Sequence, residues 1–373
     1  MSARTPAEVF PPGEFLREEL EARDWTQQEL ADILDRPPRL ISEIISAKRA
    51  ISPETALGFA EAFGTSAEYW MSLESQYQLS KVKPSTSNVS RKAKLYSRFP
   101  VREIIKRGWV KNSENIESLE ASFCEFFGIK NIDEQPSIIA HAAKKTHIAD
   151  PTSMLQAAWL HRAQKLASEQ VLKKYTEEKL RSAVSELRQL LTAPEEARKV
   201  PGILSGAGVR LVFVEAIAGS KIDGACFWLD NEKPVIAMSL RFDRIDNFWF
   251  VLRHEVEHVL RKDGQGPDGP VIDVNMGEEG TEIAEMERLA NEAAQDFCVP
   301  KRQMDDFIAR VDPYFSEKKI CLFAQRINVH PGLVVGQLQR RLDRHNFLRK
   351  HQVKIRESVL SSSVVDGWNF MTH

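Results

Sequence analysis

Cysteine is scarce. The chain of 373 residues has four, Cys124, Cys226, Cys298 and Cys321, and no C-x-x-C pair. That excludes a disulfide framework and leaves small buried residues suited to a reducing cytoplasm. Glycine and proline, 18 each, are too few and too scattered for a collagen-like or disordered chain. Long apolar runs are missing as well. A stretch such as Phe248–Leu252 ends after five residues, far short of a membrane span, and the opening MSARTPAEVF has no apolar core of a signal peptide. No repeat of 20–50 residues is evident. What remains is a globular composition, 42% apolar and 28% charged, long enough for two or three cores and carrying a net charge of −2.

That near-neutral total hides an uneven distribution. Residues 1–80 hold 7 Lys and Arg against 14 Asp and Glu, whereas residues 81–107 hold 9 basic residues against Glu103 alone. The segment KVKPSTSNVSRKAK is rich in Ser and Lys with one Pro, the composition of a linker. We therefore expect a first domain over 1–80 and a basic linker over 81–100.

Within the first domain the punctuation is helical. Thr26-Gln-Gln-Glu29 is a capping box, in which hydroxyl and carboxylate satisfy each other's backbone N–H groups. Pro37-Pro38 stops that helix and opens the next, whose apolar side is Ile41, Ile44 and Ile45. Ser52-Pro53 begins a fourth helix that ends at Gly64, and Ser66 caps a fifth. Two short helices around a tight turn inside five describe a helix-turn-helix. On its second helix Arg39 and Ser42 point away from the isoleucines, toward base edges. Gln27, Lys48 and Arg49 are placed for phosphates. The acidic balance of the block leaves this local face to do the binding.

These residues carry a resemblance. The run GEFLREELEARDWTQQELADIL, continued by ISEIISAKRAISPETALGFAEAFGTSAEYWMSLESQYQL, is similar to the DNA-binding domain of HigA-type antitoxins in the XRE class, a lambda-repressor-like all-α fold. The resemblance implies a homodimer, operator DNA at its own promoter, and a toxin protein as partner. That family usually has glycine in the turn after the reading helix, where this chain has Ala47. A left-handed residue with a β-carbon costs about 1–2 kcal/mol, which predicts a reshaped turn.

Residues 101–200 read as a helical region, with apolar helical spacing over 117–127 and 154–167. Strands follow at Val209–Glu215, Ala225–Leu229 and Val235–Ser239. Then comes His254-Glu255-Val-Glu257-His258 inside an apolar helix, an H-E-x-x-H string. Residues four apart share a face, so both imidazoles reach one ion, with Glu255 to one side as a general base. A third ligand is required. The next helix, capped at Thr281, is expected to bury Ile283, Met286, Ala290, Ala293 and Phe297, with Glu287 at the edge of that stripe and Glu285 and Asp296 on its other side.

FWFVLRHEVEHVL followed by ERLANEAAQDFCVP resembles the ImmA/IrrE metallopeptidases, an α+β zincin-like family. The resemblance implies Zn2+ held by His254, His258 and Glu287, Glu255 as base, and a metallopeptidase domain over 201–345 followed by a tail over 346–373. Arg253 and Glu257 depart from the family's small residues and are four apart, as an ion pair would be; Glu257 is also placed to crowd the open position. The two helices around His330-Pro331 read as a cap on this domain or a second DNA-reading unit. The leading expectation is a cytoplasmic DNA-binding regulator with a fused zinc peptidase-like domain. The alternatives are an active zinc endopeptidase that cleaves a separate repressor substrate, and a binding module whose metal is structural.

Overall fold

A computed structural model describes residues 9–82, 88–136, 153–265, 269–274 and 285–368. The chain divides into two compact units, one ending at Ser90 and one beginning at Arg91. Among the described residues no helix is long and apolar enough to cross a membrane.

The first unit holds helices α1 (Pro12–Glu21), α2 (Gln27–Ile33), α3 (Pro38–Ile45), α4 (Pro53–Phe63) and α5 (Ala67–Lys81). Each starts where local chemistry dictates. Thr26 and Glu29 close the capping box, Ser52 and Ser66 accept from the N–H groups of Thr55 and Tyr69, and Gly64 ends α4 at φ 68°. Leu16, Leu30, Ile41, Ala56, Phe59 and Trp70 fill the core. The turn after α3 is not reshaped. Ala47 adopts the left-handed conformation itself, at φ 54°, while the N–H groups of Ala47 and Lys48 return to carbonyls of α3. Those two hydrogen bonds hold the conformation that glycine would adopt without strain.

Helix α6 (Asn88–Arg98) crosses this boundary, and the second unit continues with α7 (Val101–Lys106), α8 (Ile116–Phe127), α9 (Met154–Ser168), α10 (Glu177–Arg188) and α11 (Val200–Gly206). Of the expected linker, residues 88–98 are helix. Composition registered the basic charge without its partners. Arg91 binds Glu117 and Glu120, Lys94 binds Asp133, and Leu95 is wholly buried beneath them.

A mixed sheet follows, built from β1 (Arg210–Val214), β2 (Ile222–Trp228), β3 (Pro234–Met238), β4 (Val271–Val274) and β5 (Val364–Asp366), in the order β4-β2-β3-β1-β5. Strand β1 runs parallel to β3 and β5, and β2 runs antiparallel to the central β3 and to β4. Alternation with period two sends Leu211 and Phe213 to one face and Val212 and Val214 to the other. Helices cover both faces, which explains why these strands read as continuous apolar runs. On one side α8 and α9 bury Phe123, Phe127 and Trp159, the last donating its indole N–H to the Val214 carbonyl at 2.9 Å. On the other lies α12 (Ile245–Arg261), with Phe248, Trp249, Leu252 and Val256 against the strands.

Helices α13 (Glu285–Cys298), α14 (Lys301–Val311), α15 (Glu317–Arg326) and α16 (Pro331–Leu342) complete that side, followed by α17 (Arg356–Leu360). Ile320, Phe323, Leu333, Val334 and Leu338 enter the same core as Trp249, so the helices around His330-Pro331 are structural. His330 caps α16, accepting from the Gly332 N–H. Residues 346–373 had been expected as a tail, but 356–360 are helix and 364–366 pair with β1. A three-residue strand is too short to leave a periodic signal.

His161 lies on α9 against Phe126 and Phe127, and burial pushes its imidazole down to about 4. The unfolded chain protonates at about 6.5. Between these values the unfolded state takes a proton that the folded state refuses. The associated stability is therefore complete above pH 6.5 and is lost as pH falls toward 4. We expect chemical denaturation to show about 3 kcal/mol lost over that interval, and His161→Leu to flatten that part of the pH profile.

Candidate metal centre and reading helix

In the first unit, α3 buries Ile41 and Ile44 and presents Arg39 and Ser42 to solvent. Gln27, at the start of α2, and Lys48 and Arg49, just past α3, are exposed as well. Glu43 ties this face together, accepting from Arg39 Nε at 2.7 Å and lying 3.4 Å from an Arg49 terminal nitrogen. The Arg39 hydrogen bond and charge hold the Glu43 carboxyl below its usual range, although burial opposes them.

In the second unit, α12 carries both histidines into the interior. His254 and His258 are fully buried, with their Nε2 atoms 2.9 Å apart. A Glu287 oxygen lies 3.2 Å from His254 Nε2 and the other lies 3.6 Å from His258 Nε2. Sequence spacing had not disclosed a fourth member. Asp273 of β4 stands 3.4 Å from His254 Nε2 and 4.0 Å from His258 Nε2. For metal–ligand bonds near 2.1 Å, the edges of a ligand tetrahedron are about 3.4 Å. The separations here scatter about that value, so two imidazoles and two carboxylates fit one tetrahedral cation. Zinc takes this donor set.

Outer contacts orient the ligands. His258 Nδ1 is 2.9 Å from Asp263 Oδ2, the carboxylate–histidine arrangement that fixes a ring and turns its Nε2 lone pair to a metal. Arg253 and Glu257 form their expected pair at 2.8 Å along the flank of α12, so Glu257 does not enter the centre. The buried stripe of α13 runs over Ala290, Ala294, Phe297 and Cys298, with Ala293 only half-buried. Thr281 and Ile283 lie outside the described residues.

Glu255 sits beside this cluster, completely buried. It fits because β2 has no side chain at Gly224, where an ideal β-carbon would stand 2.1 Å from Glu255 Oε1. Burial first, and then Asp273, Glu287 and Asp223, raise its carboxyl well above the ordinary range. Burial, followed by Asp273, likewise raises Glu287. His254 is pushed down by burial, but Asp273 and Glu287 prevail and hold it at about 9. The two buried imidazoles, the buried carboxyl groups of Glu255 and Asp273 and the half-buried Glu287 form a group that a shared cation would stabilise.

Among the described residues one other grouping, Glu317, Cys321 and His351, has comparable spacing. It is half-exposed, and Lys350 and His351 already engage Glu317.

Loss of a ligand and loss of its support are expected to separate in a zinc competition assay against a chromophoric chelator. Asp263→Ala should weaken zinc about 10–100-fold by releasing the His258 ring. Asp273→Ala and Glu287→Ala should weaken it further, and unchanged affinity in Asp273→Ala would remove that residue from the ligand set.

A helix-turn-helix family profile matches residues 16–70. The chain is similar to virulence-associated protein A of Dichelobacter nodosus, 47% identical over 57 residues, which are 15% of this chain and 56% of that protein. It thus spans little more than half the length of that relative. Virulence-associated protein I of the same organism is 32% identical over 80 residues, 21% of this chain and 74% of that protein. Among solved structures it is similar to the Pseudomonas aeruginosa antitoxin HigA with higBA promoter, 30% identical, with a TM-score of 0.19, over 21% of this chain and 99% of that one. A HigA-family addiction module antidote protein from Coxiella burnetii is also 30% identical, with a TM-score of 0.19, over 24% of this chain and 94% of that one. Through residues 16–70 the chain belongs to the helix-turn-helix family.

Proposed function

We propose that the chain is a sequence-specific DNA-binding transcription regulator of the antitoxin type, acting as a homodimer on operator DNA at its own promoter. A toxin protein is its partner in this reading. The observation that carries it is α3, whose Ile41 and Ile44 are buried and whose Arg39 and Ser42 face outward. Arg39 reaches guanine bidentately, Ser42 contacts a base or phosphate, and Gln27, Lys48 and Arg49 hold flanking phosphates. Glu43 restrains both arginines until guanine competes for Arg39 and phosphate for Arg49.

The second unit, in this proposal, is a zinc site of the ImmA/IrrE metallopeptidase type in which His254, His258, Asp273 and Glu287 hold the ion. Bound zinc supplies a Lewis acid that polarises an oxygen atom. Asp273 occupies the position that hydrolysis needs open, so the arrangement suits a metal that orders the domain. A second reading, an active endopeptidase that cleaves a repressor protein, is favoured by Glu255 lying beside the cluster. It requires Asp273 to withdraw and Glu255 to ionise.

Gel retardation with the DNA upstream of the chain's own reading frame tests the first reading. Arg39→Ala should lose about 1–3 kcal/mol of specific binding, and Glu43→Gln should bind several-fold tighter. Glu255→Gln should leave both operator binding and zinc content unchanged while abolishing any proteolysis. Failure of wild type to retard that fragment overturns the proposal.

A further inference from the structure

The two imidazoles of the centre are not supported alike. His254 Nδ1 has no hydrogen-bond partner among the described residues, whereas His258 Nδ1 faces Asp263 Oδ2 at 2.9 Å. The aim of the His258 ring therefore depends on one carboxylate just past the end of α12. An aspartate side chain has only two rotatable bonds, so its carboxylate goes where its backbone is held. Whatever holds the Asp263 backbone helps to set the geometry of the centre.

Both backbone groups of Asp263 are tied. Its N–H donates to the His258 carbonyl at 2.9 Å, across the left-handed turn at Lys262 that ends α12. Its carbonyl accepts from Trp228 Nε1 at 3.1 Å, with the Cys226 thiol a weaker donor at 3.8 Å. Gly264 comes close to β2 beside them: at its φ of 72° a β-carbon would stand 2.9 Å from the Cys226 carbonyl oxygen. Gly224, Cys226 and Trp228 share one face of β2, because a strand alternates with period two. Along that face the strand first leaves room for Glu255 and then, four residues on, anchors the loop that aims His258. The indole is itself fixed, its ring nearly perpendicular to that of the buried Tyr175 with centroids 5.4 Å apart. One group pulls the other way. Arg261 is exposed, and its Nε lies 3.8 Å from the same Asp263 Oδ2. Freed of the indole, the Asp263 carboxylate has this guanidinium as an alternative partner.

We propose that Trp228 is a positioning residue of the metal centre: its indole N–H fixes the Asp263 carbonyl and, through Asp263, the ring of His258. The inference rests on reading His254, His258, Asp273 and Glu287 as that centre. It adds to that reading a side chain of β2, a strand that supplies no ligand, acting on a ligand carried by α12.

Zinc competition against a chromophoric chelator, with the full chain, tests it. Trp228→Phe keeps an aromatic ring against Tyr175 and removes the N–H, and zinc affinity should fall about 3–10-fold, less than in Asp263→Ala. The decisive comparison is the double variant. Because Trp228 acts through Asp263, adding Trp228→Phe to Asp263→Ala should cost nothing further. A merely structural tryptophan would cost the same in both backgrounds, and that result overturns the proposal. Where Trp228→Phe does not fold, Trp228 is replaced by benzothienylalanine, which keeps the shape of tryptophan and has sulfur in place of the N–H. That replacement should show the same loss of affinity and the same lack of additivity. Wild type that binds zinc equally with and without the N–H overturns this inference alone. Wild type that takes up no zinc overturns the metal reading and this inference with it.

Discussion

Two imidazoles and three carboxyl groups meet in the interior of the second unit, and that meeting constrains everything around it. A buried carboxylate is costly unless a positive charge lies close by. Here His254 can serve Asp273 and Glu287 only by taking a proton or by sharing a cation with them. A tetrahedral ion satisfies both carboxylates and both Nε2 lone pairs at once, and the observed separations are those of its ligand edges. Glu255 is the member left over, and its burial beneath Gly224 raises its carboxyl well above the ordinary range.

The fold supplies these groups from three separate elements. The helix α12 packs on the sheet through Phe248, Trp249 and Val256, which sets the rotation that turns His254 and His258 toward β4. In the register of β2 with β4, Gly224 stands opposite Asp273, next to an irregularity between Ile222 and Gly224. The missing side chain at Gly224 makes room for Glu255, and the adjacent strand delivers Asp273. Helix α13 then closes the centre with Glu287, its buried alanines permitting close approach. The first unit needs none of this; its five helices fold on their own core of Leu16, Ile41, Phe59 and Trp70.

What was legible in the sequence was local. Capping boxes, proline stops and isoleucine spacing lie within a few residues of what they control, so the reading helix and its exposed Arg39 and Ser42 could be placed. The same holds for the two histidines, which share one face because they are four residues apart on one helix. Asp273 was hidden because its role depends on a strand pairing, and the four residues of Val-Ile-Asp-Val carry no periodic pattern. The basic stretch after residue 87 misled for a related reason. Lys and Ser enrichment resembles a linker until Glu117, Glu120 and Asp133 come into place beside it. Ala47 shows the opposite error, a strained residue retained because two hydrogen bonds hold the turn.

The central claim is that four protein ligands close the metal centre. X-ray absorption at the zinc edge of the purified full chain tests it most directly. The account predicts one zinc in a four-coordinate shell of two imidazole nitrogens and two carboxylate oxygens, with one oxygen lost and replaced by water in Asp273→Ala. A wild-type shell of two imidazoles, one carboxylate and water, unchanged in Asp273→Ala, would contradict it.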